Sequence, residues 1–263
     1  MTGAPALKML TFGPMIDSEL SRFLLWNYEI PFQERRHMFG WASVLTFFHG
    51  GYGRIPVIYG DGTGGSGPRA LVDEFEPRCR ASRILIPGQE PLRTNVEADW
   101  QTFNGELATH TARIAYFHLL PHRDIMIGPF TSGIPAWEAA ITPAIYPALQ
   151  RLFSTLLRLN EKTVADSYAH ALRIVDAADR RLADGRRFFW EERLTLTDLS
   201  LATALAPLIL PPGYSAPIPA FAEMPEVMKQ MVTAFRQRPS GALVNRVYEA
   251  RAADQNSTKE AMP

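Results

Sequence analysis

The first apolar run of the chain, Leu7 to Phe12 (LKMLTF), is short and is closed by Gly13 and Pro14. A run of this length ending in a turn pair reads as a buried strand. Asp17 then stands where a helix N-cap belongs, and Ser18 to Tyr28 (SELSRFLLWNY) carries Leu20, Phe23, Leu24 and Trp26 at helical spacing. Pro31 and Phe32 open a second strand, PFQERR. An interval with Trp41, Phe47 and Phe48 follows, and residues 54–59 (RIPVIY) predict a third strand. Glycine crowds into residues 50–67, which marks turns, and 69–76 (RALVDEFE) predicts a helix. From about residue 98 the pattern is helical throughout, over 98–120, 134–157, 160–184, 195–209 and 225–237. The switch from β-α-β, strand and helix to helices alone predicts a small α/β domain over 1–80 and a linker over 81–97. A helical domain over 98–250 and a polar tail over 251–263 complete the division.

Composition narrows the class. Hydrophobic residues make up 46% of the 263 and charged residues 21%, a globular mixture. Lys plus Arg equals Asp plus Glu at 27 each, so no net field favours nucleic acid or an anionic membrane. No apolar run reaches the roughly 20 residues of a membrane span, and MTGAPALKMLTFG lacks the basic start and long apolar stretch of a secretory signal. Cys79 is the single cysteine, which excludes an internal disulfide. These points predict a cytoplasmic protein.

Three motifs carry candidate chemistry. Pro56 sits within a predicted strand, where it needs a position without a ladder N–H; an edge site or a cis peptide meets that need, and the β-α-β context favours the cis form. Thr195-Leu196-Thr197-Asp198 is a capping box opening an apolar helix. Gly60-Asp61-Gly62-Thr63-Gly64-Gly65 satisfies G-x-G-x-x-G, but it follows a strand containing Pro56 and no parallel strand follows, so it reads as a tight turn. His118 and His122 are four apart but Pro121 separates them, and no carboxylate completes a metal set. The charge pairs in KTVADSYAHALRIVDAADRR read as a solvated helix face.

The segment DGRRFFWEERLTLTDLSLATALAPL resembles the central part of the helical domain of cytosolic glutathione S-transferases, with Thr195 and Asp198 at the cap positions and Thr197 in place of the usual alanine. SELSRFLLWNYEIPFQE is similar to that family's first helix and second strand, GRIPVIYGDG to its cis-proline strand, and RALVDEF to the helix that follows. The resemblance covers roughly residues 7–250. It implies a thioredoxin-like N-terminal domain followed by a C-terminal helical bundle, a homodimer, and glutathione as co-substrate. The implied enzyme is a transferase acting on a hydrophobic electrophile by conjugation, isomerisation or ether cleavage.

Residue by residue, the resemblance gives the main chain of Ile55 beside Pro56 the cysteinyl unit of glutathione. The family's thiolate donor falls at Thr11 for a tyrosine, or near Met15 to Asp17 for a serine or cysteine. None of these is the usual residue, and the nearest hydroxyls are Thr11 and Ser18. The family's acidic or glutamine residue and serine, which hold the γ-glutamyl carboxylate at a helix N-terminus, fall on Gly67 and Pro68. Ser66 and Arg69 are left as the replacement anchors. A fourth strand would fall on Thr63–Ser66, too glycine-rich to be a good one. Tyr116 lies on the helix beside the family's hydrophobic-substrate pocket between the domains. Cys79 reads as a plain, partly buried cysteine. Two other readings stay open on the same fold: a non-catalytic ligand-binding or assembly protein, and an enzyme that uses the interdomain pocket without glutathione.

Overall fold

The computed structural model describes residues 7–60, 62–190 and 193–260. Four strands are present, β1 (Lys8–Thr11), β2 (Gln33–Arg36), β3 (Val57–Gly60) and β4 (Thr63–Ser66). The helices are α1 (Ile16–Asn27), α2 (Phe39–Thr46), α3 (Gly67–Phe75), α4 (Leu92–Trp100), α5 (Ala108–Leu119), α6 (Arg123–Thr131), α7 (Ala136–Leu156), α8 (Glu161–Leu182), α9 (Leu196–Ile209), α10 (Glu226–Arg236) and α11 (Pro239–Glu260). The chain forms two compact units. One takes in the chain through Ile84 with His122–Leu152 and Ser215–Pro219; the other takes in Leu85–Pro121, Phe153–Tyr214 and the chain from Ala220.

The first unit is built on a sheet of order β2-β1-β3-β4. β1 runs parallel to β2 and antiparallel to β3, and β4 is antiparallel to β3. A parallel pair needs a crossover, and α1 supplies it. Its Leu20, Phe23 and Leu24 are fully buried, and α3 lies against it with Leu71, Val72 and Phe75 inside.

Several expectations shift here for physical reasons. The N-cap of α1 is Met15 rather than Asp17, because the Met15 carbonyl already accepts from the Glu19 N–H at 3.0 Å. Asp17 falls instead in the first turn, where its charge meets the positive end of the helix. Ile55–Pro56 is a cis peptide, as the strand context suggested. Pro56 stands just before β3 rather than inside it, and its carbonyl accepts from the Gly67 N–H at 2.8 Å. Thr63–Ser66 is a strand despite its glycines: the ladder is made by main-chain groups, and its register runs from Val57↔Ser66 to Gly60↔Thr63. Gly65 has a packing reason, since a Cβ there would stand 2.5 Å from the Ala70 Cβ on α3. The G-x-G-x-x-G segment is the turn of this antiparallel hairpin, with Gly60 and Gly62 at positive φ; Asp61 lies outside the described residues.

In the second unit α9 is apolar on all sides and central, with α4, α5, α10 and α11 packed on it and α8 packed on α5. Its capping box forms as predicted. Asp198 Oδ2 accepts from the Thr195 N–H and hydroxyl, both at 2.8 Å, and Oδ1 accepts from the Phe189 N–H at 2.9 Å. The single helix predicted over 98–120 instead begins at Leu92, inside the segment read as linker, and passes through a π-helical stretch, Gln101–Leu107. α8 buries Val164, Ala171, Val175 and Leu182 and turns pairs such as Lys162–Asp166 outward, the solvated face its sequence predicts. α11 continues past Ala252, where a polar tail was expected. Buried Arg251 anchors it by donating to the Gly213 carbonyl at 2.6 Å. The last three residues of that tail, and residues 1–6, lie outside the described residues. Among the described residues no helix is long and apolar enough to cross a membrane.

Candidate functional site

The antiparallel register of β1 and β3 pairs Leu10 with Val57, which brings Ile55–Pro56 to the exit of β1 beside Thr11 and Phe12. The Ile55 side chain is buried, while its N–H and C=O make no hydrogen bond among the described residues. A buried segment with both main-chain groups open can pair with an extended, peptide-like ligand as a strand would. Arg54 precedes it with an exposed side chain.

Behind the β1 exit lies a buried ionic network. Thr11 is fully buried and donates its hydroxyl proton to Glu34 Oε1 at 2.6 Å. The same carboxylate accepts from Arg22 at 3.1 and 2.6 Å and from Arg36 at 3.0 Å. Arg22 also bonds Glu19 at 2.9 Å and the Gly13 carbonyl at 3.2 Å, and Glu19 accepts from the Ser215 hydroxyl at 3.1 Å. Burial of Glu34 opposes its ionisation, but the charge and hydrogen bonds of Arg22, with those of Arg36 and Thr11, hold its carboxyl at about 2. Thr11 therefore has its one proton committed to a carboxylate that is ionised at neutral pH. Ser18, in the first turn of α1, is also fully buried, and its Oγ has no hydrogen-bond partner among the described residues.

The start of α3 is equally specific. Ser66 is its N-cap but makes no side-chain cap bond. The Gly67 N–H is taken by Pro56, and Pro68 has none to offer. Arg69 is half exposed, 3.8 Å from Asp73 one turn on. Tyr116 belongs to the helical unit, where its ring stacks on Phe153 with centroids 4.9 Å apart. Cys79 is half-buried and donates to the Glu76 carbonyl at 3.3 Å. It lines a cavity of about 380 Å³ with Leu7, Tyr28, Ile30, Pro31 and Phe75, at the end of the sheet away from Pro56. Burial, and then Glu76, which takes the Tyr28 hydroxyl proton at 2.7 Å, raise the Tyr28 phenol above its ordinary range. Among the described residues no three His, Cys, Asp or Glu side chains gather as a metal set.

One pairing was missed from sequence. Glu138, fully buried on α7, takes His37 Nδ1 at 2.6 Å and the Met38 N–H at 2.7 Å. It thereby fixes the start of α2 from a helix about a hundred residues away, and no local pattern signals such a bond. Phe130 of α6 packs edge-on against Phe12 at 5.4 Å, so the segment 122–152 meets the β1 exit as well.

No family model matches the chain, and no curated protein matches it. Solved structures do. Glutathione transferase F2 from Populus trichocarpa is 12% identical, with 93% of this chain and 99% of that one covered and a TM-score of 0.56. The beta-etherase LigF from Sphingobium sp. strain SYK-6 is 14% identical over 93% and 99%, with a TM-score of 0.57. A glutathione S-transferase from Methylobacillus flagellatus with glutathione bound is 17% identical over 93% of each chain, with a TM-score of 0.53. The chain thus has the glutathione-transferase fold, a thioredoxin-like sheet domain joined to a helical domain, as its sequence resemblance implied.

Proposed function

We propose that this protein binds glutathione at the cis-proline end of its sheet and uses the thiol on a hydrophobic electrophile. The observation that carries the reading is the pair of open main-chain groups of Ile55 beside cis-Pro56. The cysteinyl unit would pair with them, which leaves its sulfur at the exit of β1 and the N-terminus of α1. The positive end of that helix favours a thiolate. Ser18 is assigned as the hydroxyl donor, since Thr11 is bonded to Glu34. Ser66 and Arg69 are assigned to the γ-glutamyl carboxylate in place of the missing side-chain anchors at Gly67 and Pro68, and Tyr116 to the apolar substrate. The thiolate sulfur forms a bond to an electrophilic carbon, and the leaving group departs with the electron pair of its own bond. Similarity to glutathione transferases and to a beta-etherase supports this class of reaction.

A second reading, ligand binding without transfer, is favoured by one observation: Thr11 and Ser18 are both fully buried. Titration calorimetry with glutathione separates the cases. Binding at millimolar or tighter affinity, weakened by Ser66→Ala or Arg69→Ala, is the expected result. No binding sinks the transferase reading and leaves a ligand-binding or assembly role, or an enzyme that works without glutathione. Binding without turnover of a chlorodinitrobenzene probe supports the second.

A further inference from the structure

A thiol that attacks an electrophile must give up its proton, and neither Glu34 nor Ser18 at the β1 exit is fit to receive it. Glu34 is filled by donors from Thr11, Arg22 and Arg36, and Ser18 is a hydroxyl. The strand order β2-β1-β3 puts a third group there. With β1 in the middle, its exit is flanked on one side by Ile55–Pro56, just before β3, and on the other by His37, just past β2. The His37 N–H donates to the Thr11 carbonyl at 3.0 Å, which fixes residue 37 beside the exit. Adjacent strands lie about 4.8 Å apart, so the main chains of His37 and Ile55 stand about 10 Å apart, a gap that a cysteinyl side chain and an imidazole together can span. Phe12, leaving β1, meets Phe39 and Phe130 edge-on, both at 5.4 Å, so residues 37–39 border an aromatic floor at this end of the sheet.

We infer, resting on the glutathione site proposed above, that His37 is the proton acceptor for the thiol and that Glu138 positions it. Two features set this histidine apart. Its ring is held at one nitrogen only: Nδ1 meets Glu138 Oε1 at 2.6 Å, while Nε2 makes no hydrogen bond among the described residues and the side chain is 18% exposed. A carboxylate at Nδ1 selects the tautomer with its proton there, which leaves the Nε2 lone pair as acceptor and stabilises the imidazolium that forms. The second feature is the burial of Glu138, whose other oxygen accepts from the Met38 N–H at 2.7 Å, so the carboxylate cannot turn away from the ring. A buried ionic contact holds two segments together no better than apolar side chains of the same size, so packing alone does not call for this one. Among the described residues no other charged side chain bonds the ring; Arg36, its neighbour on β2, is turned to Glu34 and the Ser215 carbonyl. In the reaction Nε2 takes the proton as the S–H bond breaks, and the sulfur electron pair forms the bond to the electrophilic carbon. The leaving group departs with the electrons of its own bond, and the imidazolium returns the proton to it. A leaving oxygen, as in ether cleavage, needs that proton and gains most from its return.

His37→Asn keeps an amide N–H near the Nδ1 position for Glu138 and removes the base. The readout is the ultraviolet absorbance of the thiolate of protein-bound glutathione, titrated across neutral pH, with calorimetry for affinity and a thermal midpoint for the fold. Wild type should hold glutathione as thiolate at pH 7. His37→Asn should hold at least about tenfold less thiolate, with the dissociation constant changed by less than about threefold. Glu138→Gln, which keeps the shape of the side chain and removes its charge, should shift the titration in the same direction. A thiolate titration unchanged in folded His37→Asn overturns the inference, as does bound glutathione that stays a thiol in the wild type. Loss of affinity and thiolate together, in step with the thermal midpoint, also overturns it, since that is the mark of a structural tie. Wild type that binds no glutathione fails the site beneath the inference as well, and calorimetry tells that outcome apart from binding with an unshifted thiolate.

Discussion

Replacing Asp198 with alanine removes one buried carboxylate that holds three donors. The N–H groups of Phe189 and Thr195 would lose their acceptors at 2.9 and 2.8 Å, and the Thr195 hydroxyl would lose its own. Each buried donor left unmade costs about 1–3 kcal/mol, so three together cost about 3–9 kcal/mol, taken as about 5 kcal/mol gross. Against this stands the cost of the buried charge. Burial raises the Asp198 carboxyl from 3.8 to about 6, with the bonds from Phe189 and Thr195 opposing the rise. Because the folded value lies above the unfolded one, the native state takes up the proton first as pH falls. The wild type therefore gains stability at this site between pH 6 and 3.8, by about 1.4 kcal/mol per pH unit. Alanine has no such gain. Asp198→Ala should thus destabilise by about 2 kcal/mol at pH 7 and by about 1.4 kcal/mol more at pH 5. Urea unfolding of both proteins at the two pH values, followed by circular dichroism, measures the difference, and every other titrating group cancels in it. A loss under about 1 kcal/mol at pH 7, or a loss that shrinks at pH 5, would refute the assignment of the carboxylate as the anchor of α9.

Glu34→Gln leaves the buried Arg22 with half its counter-charge and should cost about 3 kcal/mol at pH 7. The folded Glu34 carboxyl lies at about 2, below its ordinary 4.5, so its contribution is present above that value and is lost as acid approaches 2. The variant should lack this limb of acid unfolding, and an unchanged acid profile would contradict the network. Gly65→Ala should cost about 1–3 kcal/mol by pressing its Cβ into Ala70, and Ala70→Gly should restore part of the loss. A thermal midpoint unmoved by the first change would count against the close contact of α3 and β4.

The reach of the sequence follows from the range of each interaction. The strand near Leu7–Phe12, helix α1 and helices α7 to α10 are written in apolar spacing that each segment carries by itself. The Thr195–Asp198 box is equally local, with both partners inside one turn. β4 was misread because its ladder uses main-chain groups, which glycine supplies as well as any residue. The Thr11–Glu34 bond joins neighbouring parallel strands, and their register is set by the crossover rather than by either strand. Glu138 meets His37 across a hundred residues, and helical periodicity says that 134–157 is a helix without saying which core it joins.

The same distinction governs the proposed site. Its central contact is made by the amide and carbonyl of Ile55, which depend on the turn at Pro56 and on no side chain. A chain that keeps this turn keeps the contact while neighbouring side chains drift. Three positions that depart from the family pattern are Thr11, Gly67 and Pro68. Each departure has its own consequence in the fold. Thr11 ties β1 to the charged network of β2, Gly67 closes the hairpin onto Pro56, and Pro68 starts α3 without an N–H. On this reading the backbone still holds a thiol peptide in place, while the N-terminus of α1 with Ser18 stabilises the thiolate and Ser66 with Arg69 takes the carboxylate. Arg69→Ala should then raise the dissociation constant of glutathione, while Thr11→Val, which removes a structural bond, should lower stability and leave that constant unchanged. Equal effects of the two changes on glutathione binding would refute the division.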